Sequence, residues 1–290
     1  MSSSVMARRM RKRRGLWTRA GGAVSSWARS DVGRKREKNE DNFLADPSLM
    51  LYCVADGMGG HAGGETASRM AVETVHRTVR LARQNGSVFP ADAVKQEVPE
   101  VLELLQRAVS EASRRIYDAS SQNPDLHGMG TTVTLVQVLG TRIYVAHVGD
   151  SRLYRLRDNR LEQLSEDHSL VAEQVRAGFI TAEEAQYSRF RNIITRSVGF
   201  ESQVKADTFS LAVRQGDVFV LCSDGLTGMV SDEEIEQVLK RNRLVSAADH
   251  LVNLANRAGG EDNITLVVLR YKGGAGRAIA RGHRRGVGRS

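Results

Sequence analysis

The sequence predicts an α+β fold, a layered sandwich of sheets and helices, on three observations. Short apolar runs follow one another between residues 131 and 164 with only turn-forming residues between them, so their pairing is mostly antiparallel. Two long amphipathic stretches precede these runs, and two further helices fall between the last strands. Helices thus come in groups around consecutive strands instead of alternating with them, which argues against a doubly wound parallel sheet.

Each element has a local reason. Leu51–Ala55 is an apolar run that stops at Asp56-Gly57, a buried strand meeting a turn. Residues 64–84 carry Ala67, Ala71, Val75, Val79 and Ala82 at helical spacing, and residues 98–119 place Val101, Leu105, Ala108, Ala112 and Ile116 on one stripe. Strands are expected over 131–139, Arg142–Val148, 153–156 and 161–164, the last two joined by a hairpin turn at Asp158-Asn159. Val218–Cys222 and Ile264–Tyr271 are two more strands. The helices between them have Ser231 and Ser246 as caps, Ser231 forming a capping box with Glu234.

The 290 residues carry 42 Lys+Arg against 34 Asp+Glu, a net charge of +8. Fourteen of the basic residues lie in segments 1–30 and 272–290, which hold no acid, so the body from 31 to 271 has 28 basic and 34 acidic groups and a net charge of −6. Both end segments are rich in Arg, Gly, Ser and Ala and are expected to be disordered basic tails around a single folded domain, 31–271. Such tails suit an acidic surface, nucleic acid or an anionic membrane. The first also has the composition of an organelle transit peptide. Two cysteines exclude a disulfide framework and a four-cysteine zinc site, and point to a reducing, cytoplasmic compartment. The longest uncharged stretch, residues 128–141, is rich in Gly and Thr and falls short of the roughly 20 apolar residues that span a bilayer.

Spacing excludes several chemistries. No Gly-Lys pair exists for a Walker A loop, and no Gly-x-Gly-x-x-Gly follows a strand. A cysteine phosphatase loop needs Arg six positions after Cys, where this chain has Gly59 and Gly228. The seven histidines show no ligand spacing for zinc. What remains is a set of aspartates at the ends of apolar strands, each beside or near a glycine: Asp56, Asp150, Asp224 and Asp262. Gathering such charges costs several kcal/mol unless a cation compensates them. All-oxygen ligation points to magnesium or manganese.

These residues belong to a longer pattern: Arg36-x-x-Asn39-Glu40-Asp41-Asn42, Ala55-Asp56-Gly57-Met58-Gly59-Gly60-His61, Gly130-Thr131-Thr132, Gly149-Asp150-Ser151-Arg152, Ser223-Asp224-Gly225-Leu226 and Glu261-Asp262-Asn263-Ile264. In this order they resemble the metal-dependent protein phosphatase family, the type 2C Ser/Thr phosphatases, and in particular its bacterial members. The resemblance covers about residues 31–271. It implies a four-layer α-β-β-α sandwich of two mainly antiparallel sheets flanked by helices.

The resemblance also implies roles. Asp56 would bridge two Mn or Mg ions, with the main-chain carbonyl of Gly57 on one of them and Asp224 and Asp262 completing the other. Glu40 would hold a metal-bound water, Asp41 would support the cluster, and Asp150 with Asp224 would form a weaker third position. Arg36 would bind the phosphate; spacing alone does not choose it over Arg34. The expected catalytic residues are therefore Arg36 and Asp56. The implied activity is hydrolysis of phosphomonoesters on phosphoserine and phosphothreonine proteins by a monomeric enzyme, with a Ser/Thr kinase as the opposing partner.

One position departs from the family. Eukaryotic members have a His two residues after the first aspartate, and here that residue is Met58; His61 nearby reads equally as a backbone-bonded loop residue. Residues 167–199 fall where the family has a variable flap, and read either as a lid over the substrate or as a plain helical hairpin. Strand parity puts Cys222 on the face of Asp224 and Cys53 away from the face of Asp56, so no disulfide is expected. The alternative to an enzyme is a catalytically weak phosphatase-fold scaffold, recruited by its tails to nucleic acid or anionic membrane.

Overall fold

The computed structural model describes residues 14–18, 23–60, 63–86 and 97–273. One sheet has the order β1 (Arg14–Thr18), β2 (Val24–Asp31), β13 (Ile264–Tyr271), β12 (Val218–Cys222), β9 (Arg152–Arg157) and β10 (Arg160–Gln163). The second has β11 (Asp207–Ala212), β8 (Arg142–Val148), β7 (Val133–Leu139), β4 (Leu51–Ala55) and β3 (Asn42–Asp46). A two-stranded ribbon, β5 (Gly57–Met58) with β6 (Gly130–Thr131), extends from β4 and β7. Among the described strands every pairing is antiparallel.

The sheets stack because alternate residues of each strand face opposite ways. Between the sheets, Tyr52, Val54, Val136, Val145, Phe219, Leu221 and Val267 form the central core. The other face of β12 and β13, with Val220, Cys222, Leu266 and Val268, packs on α6 (Asp232–Arg241) and α7 (Leu244–Arg257). The outer face of the second sheet, with Leu51, Cys53, Leu135 and Tyr144, packs on α1 (Gly63–Gln84) and α2 (Pro99–Gln122). The whole expected stripe of α2 is buried, as are Ala67, Ala71, Val75 and Val79 of α1. This is the four-layer α-β-β-α sandwich. Cys53 and Cys222 lie in opposite outer cores, both reduced, and burial pushes each thiol up to about 12.

Local signals behave as their chemistry requires. Asp158 and Asn159 take φ of 51° and 62°, the left-handed pair of a tight hairpin turn. Ser231 and Glu234 complete a reciprocal capping box. Residues 167–199 form α3 (Leu170–Arg176), α4 (Ala182–Tyr187) and a connecting loop. Among the described residues no helix is long and apolar enough to cross a membrane.

Two expectations need correction. Segment 1–30 is not wholly a tail, because β1 and β2 lie within it and β2 pairs with β13 along its length. The buried side of β2 is Val24, Ser26, Ala28 and Ser30, residues small and polar enough to look like linker. The rest of the expected tails, residues 1–13, 19–22 and 274–290, lies outside the described residues, as does His61. Ser246 is not a cap either. α7 starts three residues earlier than such a cap would allow, at Leu244; Ala247, Ala248 and Leu251 reach the core, and its N-cap Arg243 makes no side-chain cap bond.

Candidate metal centre

Antiparallel pairing brings the informative strand ends to one edge of the sandwich. Cys222 is level with both Leu266 and Arg152, so Asp224 after β12, Asp262 before β13 and Asp150 before β9 meet at the same end. Asp56 leaves β4 there, and the loop from Val32 to Asp41 crosses above it. Arg36, Glu40, Asp56, Gly57, Asp150, Asp224 and Asp262 all line a single cleft of about 770 Å³. All the candidate site residues are therefore brought together. Met58 lines the same cleft, and Arg34 is not among its lining residues.

Backbone clamps fix these positions. Thr132 N–H and Thr131 Oγ1 both donate to the Asp56 carbonyl at 2.8 Å, and Asp56 N–H donates to Thr132 Oγ1 at 2.9 Å. Asn263 holds the crossing loop: its Oδ1 accepts from Glu40 N–H at 2.8 Å, and its Nδ2 donates to the carbonyls of Val32 (3.0 Å) and Lys38 (2.8 Å). Asn39 joins the same loop to β2 by donating to Ser30 Oγ at 2.7 Å. At Gly57 a Cβ would lie 2.0 Å from the Gly64 carbonyl oxygen, so only glycine lets the start of α1 approach the strand end. Gly149 has φ of +110°, and a Cβ there would sit 2.5 Å from Thr132 Cγ2.

The flap is tied to the Asp150 turn. Gly149 N–H donates to His168 Nδ1 at 3.0 Å, which leaves the ring proton on Nε2, 3.1 Å from Asp207 Oδ2. Asp207 also pairs with Arg196, a cleft residue. Arg152 is held by Asp167, with Nη2 2.7 Å from Oδ2.

The electrostatics are those of a site built for cations. Burial, then Asp41, Asp224 and Asp150, raises the Asp56 carboxyl well above the usual carboxylate range. Burial lifts Asp41 to about 7 against the hydroxyl donors of Ser223 and Thr265, with Asp224 and Asp262 adding repulsion. Asp150 is likewise raised to about 7 by burial, Asp224 and Asp167. Burial also raises Asp224 and Glu40. Arg36 is raised too, which for a cation strengthens its charge: although burial opposes it, Asp262, Glu40 and Asp56 together stabilise it, and its Nη2 lies 2.7 Å from Asp262 Oδ2.

Buried Oδ1 atoms of Asp41, Asp150 and Asp224 have no hydrogen-bond partner, an expensive arrangement unless something positive meets them. No imidazole or thiol lines the cleft among the described residues, so its acidic donors are all oxygen and fit hard divalent cations. Among the described residues no three Asp, Glu, His or Cys side chains close around one point.

Reading residues singly missed the supporting polar layer. Asn39, Thr131, Thr132, Ser223 and Asn263 stand inside the quoted motifs, where their adjacency to acids was the available signal. Ser68, which donates to the Glu40 carbonyl from α1, carries no such signal.

Fold and cleft together define a two-sheet sandwich with an acidic, all-oxygen cleft at one edge, the architecture of a phosphatase class. The chain belongs to the protein phosphatase 2C family, whose model matches residues 33–265. It is 40% identical over 245 residues to the serine/threonine phosphatase stp of Listeria monocytogenes, covering 83% of this chain and 93% of that protein. It is 35% identical over 244 residues to the protein phosphatase PhpP of Streptococcus pneumoniae, covering 83% and 94%. Among solved structures, the Mycobacterium tuberculosis serine/threonine phosphatase PstP/Ppp superposes with a TM-score of 0.76 at 36% identity, covering 86% of this chain and 99% of that one. The catalytic domain of PstP in complex with two manganese ions gives a TM-score of 0.73 at 36% identity, covering 85% and 97%.

Proposed function

We propose that this chain is a metal-dependent protein serine/threonine phosphatase that hydrolyses phosphomonoesters without a covalent intermediate. The observation that carries this reading is the convergence of five acids, the Gly57 backbone and Arg36 on one cleft, with unpartnered buried carboxylate oxygens within it and beneath it. Two Mn or Mg ions would be held by Asp56, the Gly57 carbonyl, Asp224, Asp262 and Glu40, and a weaker third by Asp150 with Asp224. When bound, such ions lower the pKa of water towards neutrality and neutralise phosphoryl charge.

The chain's own residues supply position. Thr131 and Thr132 hold Asp56 by its backbone, so its carboxylate would meet bound ions with little rearrangement. Asp262 orients the Arg36 guanidinium at the cleft, where its remaining donors would meet phosphoryl oxygens. Asn263 keeps Glu40 and Arg36 on the same rigid loop. Phosphoserine and phosphothreonine proteins as substrates, an opposing Ser/Thr kinase, a cytoplasmic monomer and tails that contact acidic surfaces complete the proposal. The names of the relatives support the substrate class.

Turnover of p-nitrophenyl phosphate with and without manganese tests it. Metal-dependent turnover that Asp224→Ala abolishes is expected; turnover indifferent to metal or to that substitution would refute the reading.

A further inference from the structure

A second cavity, of about 850 Å³, lies beside the catalytic cleft, between α1, α2 and the segment 199–206 that returns from the flap. The two share a wall, because Gln203, Val204 and Lys205 line both. That wall is fastened to α2. Gln106 Nε2 donates to the Val204 carbonyl at 3.0 Å, Ala206 N–H donates to Gln106 Oε1 at 3.0 Å, and Ser113 Oγ donates to the Glu201 carbonyl at 2.8 Å. A polypeptide whose phosphorylated side chain enters the cleft and whose backbone crosses this wall runs into a preformed groove.

The charge of the groove identifies what suits it. Arg107, Arg114 and Lys205 line it against a single acid among the described residues, Glu111. Arg114 is already matched, 3.0 Å from Glu111 and 3.1 Å from Asp118. Arg107, exposed on α2, has no ion pair among the described residues, and neither has the Lys205 ammonium. Two cations without an ion pair among the described residues therefore line one groove, within a segment, 31–271, whose net charge is −6. Apart from Leu104 and Val204, the rest of the lining, including Thr78 and Ala82 of α1, is polar or small, which accommodates an extended chain.

We propose that this groove binds an acidic segment of the phosphoprotein substrate, a few residues away from the phosphorylated side chain, with Arg107 and Lys205 as its contacts. The inference rests on the phosphatase reading above and adds a substrate preference to it. Charge complementarity of this kind raises association and selects partners more than it alters chemistry, so the effect belongs in kcat/KM and fades with salt.

The test compares phosphothreonine peptides that carry glutamates on the N-terminal side, on the C-terminal side, or alanines in their place, with p-nitrophenyl phosphate as a substrate too small to reach the groove. The wild-type enzyme should prefer one acidic peptide over the alanine peptide by about tenfold in kcat/KM at low salt. Arg107→Glu should erase that preference while leaving p-nitrophenyl phosphate turnover unchanged, and Arg107→Lys should restore most of it. No preference in the wild type, a preference that survives Arg107→Glu, or an equal loss on every substrate would overturn the proposal. Absence of manganese-dependent turnover of p-nitrophenyl phosphate by the wild type would refute the phosphatase reading itself, a separate result.

Discussion

Replacing Asn263 by alanine should damage both stability and catalysis, and the two effects can be separated. Asn263 is buried and makes three hydrogen bonds to the backbone between Val32 and Glu40, at 2.8, 3.0 and 2.8 Å. At about 1 kcal/mol net for each, Asn263→Ala should cost about 3 kcal/mol. For a domain of this size that is a fall in Tm of roughly 6–12 °C. The same loop carries Arg36 and Glu40, so its release should also lower kcat on p-nitrophenyl phosphate by about a hundredfold, the effect of moving a positioned group by about 1 Å. Asn263→Asp keeps the acceptor for Glu40 N–H but turns a carboxylate oxygen towards two carbonyls, and should be at least as harmful despite its shape. Thermal denaturation and steady-state kinetics at saturating manganese measure both. A full loss of stability with kcat within twofold of wild type would show that the loop does not depend on Asn263 for its catalytic placement. A wild-type Asn263→Asp would refute the donor assignment.

Asp56→Asn should reduce metal-dependent turnover by roughly a thousandfold or more, yet raise the Tm of the chelated protein, because it removes a buried charge that Asp41, Asp224 and Asp150 repel; a chelated Tm below wild type would count against that electrostatic picture. The raised carboxyls also set a pH dependence. Asp41 and Asp150 bind protons more tightly folded, at about 7, than at their ordinary 3.8, so their stabilising effect is complete below 3.8 and is lost as pH rises towards 7. The Tm gained on replacing chelator by manganese should therefore grow across that window, and a gain that stays flat or shrinks with rising pH would sink the argument. Ser231→Ala should cost about 1 kcal/mol through the lost capping box and leave turnover unchanged, as urea denaturation and a phosphatase assay would report.

The elements that were legible in the sequence are those whose side chains state their surroundings. Val218–Cys222 and Ile264–Tyr271 are apolar on both faces because β12 and β13 have a core on each side, and both appear with the expected bounds. β2 occupies the same sheet beside β13 but fills its buried positions with Val24, Ser26, Ala28 and Ser30, so nothing in its composition separates it from a tail. The strands β3 and β11 were hidden for a different reason: each lies at a sheet edge, and their half-buried residues carry little alternation. In the cleft, the acids were readable because each follows or precedes an apolar run at a glycine. The amide and hydroxyl groups that hold them were not, since Asn263 and Thr132 act by reaching backbone groups distant in sequence.

So costly a site folds because packing away from the cleft holds it together. Four of its aspartates flank strands whose apolar residues are buried in the inter-sheet and outer cores, so their backbone positions are set largely by that packing. Releasing Asp224 or Asp56 to water would require opening β12 or β4, the interior strands of two sheets. Repulsion among the carboxyls is therefore borne by packing far from the cleft and persists locally as raised proton affinity. That is the condition under which a divalent cation gains most from replacing the protons. A sheet edge rigid enough to hold like charges together relieves their repulsion by binding protons or, better, divalent cations.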